Sequence, residues 1–178
     1  MLNKTLFQGL LTLVAGVLSI QCATAEPITW TLVGVTFADG GTASGSFTYN
    51  VDTNTATLID IVTTSGTSFG GATYLSLSPP PSLDDFGIDM VPNGGLADFT
   101  GSPLLVINLT AMMTDSGGVI PILASDSDEG TCSNPGCKAG TPARIFSGGE
   151  LVSNVPEPSS LTRVPIGCRH SGHCSPQV

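Results

Sequence analysis

Turn residues divide the chain between Glu26 and Ser153 into short runs of β-branched and aromatic side chains. The first run, ITWTLVGVTF, alternates threonine with larger apolar residues before it reaches Asp39-Gly40-Gly41. A period of two places the apolar side chains on one face of a strand, and Asp-Gly after such a run is a hairpin signal. A helix would need a period of about 3.6 residues, which none of these runs shows convincingly. The pattern therefore predicts an all-β fold.

The length of this part suits one domain, which we expect to be a β-sandwich or a jelly-roll-like domain spanning 26–153. The run from Pro103 is the most apolar, and it is predicted to be a central strand covered on both faces. The predicted strands are Ile28–Phe37, Thr42–Val51, Ala56–Ser65, Ala72–Ser78, Pro103–Met113, Gly118–Leu123 and Ala143–Ser153.

The first 25 residues have the order of regions found in a secretory signal peptide. Lys4 is followed by an apolar run and then by Ala23 and Ala25, the small residues of a cleavage site. We therefore predict cleavage after Ala25 and export. Lipid attachment at Cys22 is an alternative, although Gln21 stands where a lipoprotein signal has a small residue.

All fourteen acidic residues lie after the predicted cleavage site, against only four basic residues, Lys138, Arg144, Arg163 and Arg169. Binding of nucleic acid or anionic lipid depends on a basic surface, so this balance argues against both. The scarcity of charge, together with abundant glycine, serine and threonine, predicts a soluble extracellular surface rich in hydroxyl groups.

Apart from the candidate strand Gly118–Leu123, the segment from Thr114 to Pro142 has few strand signals and is predicted to be a long loop. It contains Cys132 and Cys137, separated by an Asn-Pro-Gly turn that would bring their sulfur atoms together. Because exported chains mature in an oxidising compartment, we predict a Cys132–Cys137 disulfide.

Asp126, Asp128 and Glu129 in this loop are candidate calcium ligands, because carboxylate oxygens are what Ca²⁺ prefers. They lack the complete spacing of a known calcium loop, and a solvated acidic loop explains them equally well. No cofactor is therefore predicted, with calcium kept as an alternative.

The predicted domain contains no histidine and no Gly-x-Ser-x-Gly nucleophile motif, so we predict that the protein is not an enzyme. A glycan hydrolase built on paired carboxylates stays open, because such pairing is spatial rather than sequential. A carbohydrate-binding module is another alternative; it would need exposed aromatic side chains, for which Trp30, Tyr49, Tyr74 and seven phenylalanines are available. The glycosylation triplet at Asn108 lies in the most apolar run, which favours a buried or edge position over a glycan.

Four residues of zinc-binding type lie close together near the C-terminus: Cys168, His170, His173 and Cys174. Structural zinc sites usually take ligand pairs from two separated segments, and no second segment is present here. The alternative is a disordered tail over 154–178, with or without a Cys168–Cys174 bridge.

The stretch VPEPSSL, from Val155 to Leu161, resembles the start of a PEP-CTERM sorting signal, with Pro156, Glu157 and Pro158 as the motif. The resemblance implies a Gram-negative bacterium that makes extracellular polysaccharide, and recognition by an exosortase in the membrane. In that family a transmembrane helix and an arginine-rich end follow the motif. Here TRVPIGCRHSGHCSPQV follows, whose prolines, glycines and charges do not suit a membrane span.

We explain this departure by a shift of reading frame close to the motif, which would leave the protein without a stable membrane anchor. The sequence as a whole predicts a secreted, non-enzymatic protein of the cell surface or extracellular matrix. Its expected partners are the export machinery, an exosortase and extracellular polysaccharide.

Overall fold

The computed structural model describes residues 26–79, 83–84, 86–137 and 140–153. Within these residues the chain forms eleven strands and one 3-10 turn, and no helix is long and apolar enough to cross a membrane. The strands are β1 (Ile28–Phe37), β2 (Thr42–Asn50), β3 (Thr55–Thr63), β4 (Thr73–Tyr74), β5 (Ser76–Leu77), β6 (Leu83–Asp84), β7 (Gly87–Val91), β8 (Pro103–Asn108), β9 (Gly118–Pro121), β10 (Asp128–Cys132) and β11 (Gly140–Ser153). The all-β prediction is confirmed.

The strands form one antiparallel sheet in the order β4-β3-β2-β1-β11-β10-β8-β7-β5, with β6 paired to β7 and β9 paired to β11. Strand β11 is long enough to join the two halves of this sheet. Its first part pairs with β10, up to Ile145 opposite Asp128, and its second part pairs with β1 from Phe146 opposite Phe37. The two halves face each other across one core, as expected for a sandwich.

The predicted fourth strand, Ala72–Ser78, is divided at Leu75 into β4 and β5. Strand β4 pairs with β3 at one end of the sheet, whereas β5 pairs with β7 at the other end. The backbone N–H of Leu75 also donates to the carbonyl of Val91 at 3.2 Å. This short segment therefore brings the two ends of the sheet together and leaves it nearly closed.

The main core takes its largest side chains from both halves of the sheet. Trp30, Phe47 and Tyr74 come from one half, and Leu105 and Ile107 come from the other; all five are fully buried. Alternation along each strand decides which side chains face this core, and in β1 it places Trp30 on the inward face.

Strand β8 is central and covered on both faces, as predicted. Leu105 faces the main core, whereas Leu104 packs into a second apolar cluster on the opposite face of the strand. The loops between β7 and β8 and between β10 and β11 cover that second face. The second cluster consists of Val91, Phe99, Leu104, Cys132 and Cys137, with Val106 packed against it.

The prediction of a long loop over Thr114–Pro142 is wrong. This segment contains β9, which lies within the predicted strand Gly118–Leu123, and it also contains a 3-10 turn at Ala124–Asp126 and strand β10, which were not predicted. The sequence of β10, DEGTC, has low intrinsic strand propensity, and it becomes a strand because β8 and β11 bind it on both sides. Tertiary pairing therefore overrides local propensity in this segment.

Candidate functional site

Cys132 and Cys137 form a disulfide, as predicted, with their Cα atoms 4.8 Å apart. The turn between them is closed by the N–H of Cys137, which donates to the carbonyl of Asn134 at 3.0 Å. Both cysteines are buried in the second cluster beside Phe99 and Leu104. The bridge therefore fixes the connection between β10 and β11 against the outer side of the sheet.

The structure does not bring the three calcium candidates together. Glu129 points into the core, because it is the second residue of β10, while Asp128 lies on the opposite face of the same strand. Asp126 lies in the 3-10 turn, where its backbone carbonyl accepts a hydrogen bond from the side-chain amide of Asn108. Among the described residues, no group of three or more histidine, cysteine or acidic side chains could hold a metal ion.

Asp128 instead lies near a second carboxylate across the central strand. Asp89 in β7 and Asp128 in β10 are both opposite Val106 in β8, so their side chains share one face of the sheet. Burial, and then the negative charge of Asp89, raise the pKa of Asp128 above its ordinary value. The folded state therefore disfavours the ionised form of Asp128.

Replacing Asp128 with asparagine is expected to raise the thermal midpoint of unfolding at neutral pH. The folded-state pKa of Asp128 lies above its unfolded value, so the ionised form destabilises the fold above that pKa and ceases to do so as the pH falls through it. The difference between the two proteins should therefore shrink on acidification when thermal unfolding is followed by circular dichroism. An Asp60→Asn variant on the exposed face of β3 is the control, and an equal gain in both variants would contradict the assignment.

The most connected polar cluster in the described residues is built around Glu129, which is completely buried. Glu129 in β10 lies directly opposite Arg144 in β11, and Arg144 donates to its Oε2 from Nε at 2.8 Å and from Nη2. From the other half of the sheet, Thr63 and Tyr74 donate to Oε1 at 2.7 and 2.6 Å. We call Thr63, Tyr74, Glu129, Arg144 and Asp39 the buried charge cluster.

Asp39 joins this cluster from the turn between β1 and β2. Its two carboxylate oxygens lie 3.3 and 3.4 Å from Nη1 of Arg144, and they also accept the backbone N–H groups of Gly41 and Ser68. Burial opposes ionisation of Asp39, but these hydrogen bonds and the charge of Arg144 outweigh it, so the pKa of Asp39 is lowered. The turn is thereby attached to the loop that follows β3.

Aromatic rings and close backbone complete the environment of Arg144. Its guanidinium carbon lies 4.0 Å from the centre of the Phe37 ring and 5.5 Å from that of Phe69, within the range of cation–π attraction. A side chain at position 41 would collide with the guanidinium, which explains the glycine there. The guanidinium of Arg144 is thus contacted by two carboxylates and two aromatic rings.

The chemistry of Glu129 follows from its hydrogen bonds. An ionised carboxylate has about four acceptor positions, and Thr63, Tyr74 and the two donors of Arg144 supply four hydrogen bonds. Burial and then the carboxylate of Glu129 raise the pKa of Tyr74, which keeps its hydroxyl neutral and donating. The cluster therefore suits a structural link between the two halves of the sheet, and it leaves no acceptor position for a substrate.

A cleft of about 360 Å³ lies directly beside the cluster, between the loop after β3 and the start of β11. Arg144 and Asp39 lie at this cleft, the hydroxyl residues Thr67 and Ser68 form one wall, and the half-exposed Ile145 lies on the opposite side. The remaining lining residues are Ala38, Pro142 and Ala143.

Three of the aromatic residues considered for a sugar platform, Trp30, Tyr49 and Tyr74, are buried in the main core, whereas Phe86 is 49% exposed. Asn108 is the last residue of the central strand β8, and its half-buried side chain donates to the backbone carbonyl of Asp126, so it is neither fully buried nor on an edge strand.

Several predicted residues lie outside the described residues. They are the cleavage-site residues Ala23 and Ala25, the lipid candidate Cys22, the motif Pro156, Glu157 and Pro158, and the zinc candidates Cys168, His170, His173 and Cys174.

None of Arg144, Asp39, Tyr74 and Thr63 was predicted as a site residue from the sequence, although the first three are a rare basic residue, a turn residue and an aromatic residue. One signal was present: Arg144 and Lys138 are the only basic residues between Glu26 and Ser153. Basic residues are rare in this acidic domain, and Arg144 lies within a predicted strand. A charged side chain that is buried in a strand is expected to pair with a carboxylate. The sequence did not mark Glu129 as the carboxylate that pairs with Arg144, because Glu129 lies next to other acidic residues.

No family model, no curated protein and no solved structure matches this chain.

Proposed function

We propose that this chain is an exported, non-enzymatic protein that acts at the cell surface or in the extracellular matrix. The observation that carries the proposal is the Cys132–Cys137 disulfide. Disulfides persist in oxidising compartments and are rare where thiols are kept reduced. Its position in a buried cluster indicates a permanent structural bond, which agrees with the predicted signal peptide.

The buried charge cluster supports the non-enzymatic part of the proposal. Glu129 is the most deeply buried acid of the described residues, and its acceptor positions are filled by protein donors. A general acid or base in a hydrolase must reach the substrate. Glu129 therefore has a structural role, and a hydrolase would have to use other carboxylates for catalysis.

Recognition by an exosortase through Pro156, Glu157 and Pro158 forms part of the proposal, on the resemblance of that motif alone. Substituting all three residues in a host that has an exosortase is expected to prevent cleavage at the motif, so that the variant retains C-terminal peptides that the mature wild type has lost. Wild-type protein that retains the same C-terminal peptides would show that the motif is not processed.

Export can be tested by expressing the full chain in a Gram-negative host and fractionating the cells. We expect the protein outside the cytoplasm, beginning at Glu26, with Cys132 and Cys137 protected from thiol reagents until they are reduced. A variant with leucine at Ala23 and Ala25 is the matched control and should accumulate as the uncleaved precursor. Cytoplasmic protein with both thiols free would contradict the proposal.

The second candidate is a carbohydrate-binding module, and the cleft beside Asp39 is the observation that favours it. The hydroxyl groups of Thr67 and Ser68 and the apolar side chain of Ile145 line the same cleft, and they offer both kinds of contact that a sugar makes. A glycan array would test it with the wild type and an Ile145→Glu variant, and with Val119→Glu on β9 as the control. Binding that both variants retain would place the sugar elsewhere.

A further inference from the structure

We propose that Asn93 is a site of spontaneous covalent modification, in which the backbone nitrogen of Gly94 displaces the side-chain amide nitrogen of Asn93 as ammonia. The two residues are adjacent in the loop between β7 and β8. Asn93, Gly94 and Gly95 are all exposed. Water and hydroxide therefore reach the reacting groups, and no strand hydrogen bond has to break first.

The local geometry favours this reaction. The side-chain carbonyl of Asn93 accepts the backbone N–H of Gly95 at 3.0 Å, which forms an Asx turn around the intervening Gly94 peptide group. The hydrogen bond polarises the side-chain carbonyl of Asn93, which is the group that is attacked. Gly94 has no Cβ to shield its nitrogen, and glycine adopts the conformations that ring closure needs.

The chemistry balances with water as the only co-reactant. Hydroxide removes the proton from the nitrogen of Gly94, a bond forms between that nitrogen and Cγ of Asn93, and the bond from Cγ to Nδ2 breaks. The leaving nitrogen takes a proton from water and departs as ammonia, leaving a five-membered succinimide ring. Water then opens the ring at either carbonyl, which gives aspartate or isoaspartate without oxidation or reduction.

The other described asparagines are poorer sites. The residues that follow Asn50, Asn54 and Asn108 are valine, threonine and leucine, whose side chains crowd the attacking nitrogen. The side chain of Asn108 is also held by its hydrogen bond to the carbonyl of Asp126. Asn134 precedes Pro135, which has no N–H to lose. The reaction should therefore be selective for Asn93.

Modification of Asn93 would alter the packing of the loop between β7 and β8 on the second cluster. The loop that holds Asn93 begins after Val91 and includes Phe99, both of which are buried in that cluster. Modification adds a negative charge to a loop that already contains Asp98, and isoaspartate lengthens the backbone by one atom. We expect the loop to pack less firmly against the disulfide side of the sheet.

Incubation of the purified full chain at mildly alkaline pH, followed by peptide mapping, tests the proposal. The Asn93 peptide should show the mass increase that comes from replacing an amide NH₂ by OH. The reaction should also release ammonia, and its rate should increase with pH. An Asn93→Gln variant, checked for folding by circular dichroism, should abolish it, because glutamine must close a larger ring. Asn134 serves as the internal control.

A synthetic peptide spanning Pro92–Ala97 separates the effect of the fold from that of the sequence. The proposal requires the loop in the folded protein to react at a rate within an order of magnitude of that peptide. An Asn93 that stays intact in the folded protein while the peptide converts would overturn it. So would conversion at Asn50, Asn54, Asn108 or Asn134 equal to that at Asn93.

Discussion

Replacing Arg144 with methionine is expected to lower the free energy of unfolding by about 3–5 kcal/mol, the usual cost of removing one partner of a buried ion pair. The substitution would leave the carboxylate of Glu129 completely buried with hydrogen bonds from Thr63 and Tyr74 only. Methionine fills much of the same space, so the loss reports the uncompensated charge rather than a cavity. Urea unfolding followed by the fluorescence of the buried Trp30 would measure it.

The matched control removes both charges at once. In a variant with methionine at both Glu129 and Arg144 no uncompensated charge remains, so we expect it to be more stable than the single Arg144→Met variant. The hydroxyl groups of Thr63 and Tyr74 would lose their acceptor, so recovery should be incomplete. A double variant that is less stable than the single variant would mean that the charge pairing contributes less than packing does.

Reduction of the Cys132–Cys137 disulfide is expected to lower the free energy of unfolding by about 2 kcal/mol, which is what the chain-entropy relation gives for so short a closed loop. The bridge lies within the second cluster, so its loss also weakens the packing of Cys132 and Cys137 against Leu104. The measurement compares urea midpoints of the wild-type protein with and without a reductant.

A variant with alanine at Cys132 and Cys137 is the control for the other cysteines of the chain. Its midpoint should not respond to the reductant, because the bridge that the reductant breaks is absent. A response equal to that of the wild type would assign the stabilisation to a different pair of cysteines.

The strands that the sequence predicted best are those in which alternation and turn residues agree. Strand β1 was predicted with the bounds that it has in the structure, and the turn at Asp39–Gly41 lies where the Asp-Gly-Gly signal placed it. The signals in β7 and β10 were weaker, because GIDMV is short and DEGTC is polar. These two strands are stabilised by neighbours from distant parts of the chain, which no local pattern records.

The disulfide was accessible from the sequence, whereas the buried charge cluster was not. Cys132 and Cys137 are five residues apart with a turn between them, so local geometry is sufficient to pair them. Glu129 was instead grouped with Asp126 and Asp128 as a possible metal ligand. Adjacent acids on a strand point to opposite faces, and only the strand assignment of β10 separates them.

The sequence by itself determined the all-β class and the Cys132–Cys137 bridge, because each depends on a period or a turn within a few residues. Only the tertiary structure decided that Glu129 meets Arg144, Thr63 and Tyr74. Those contacts depend on strand register and on two sheet halves facing each other, with 66 positions separating Thr63 from Glu129. The energy of a buried charge depends on these distant partners, so the role of Glu129 could not be determined from its sequence neighbours.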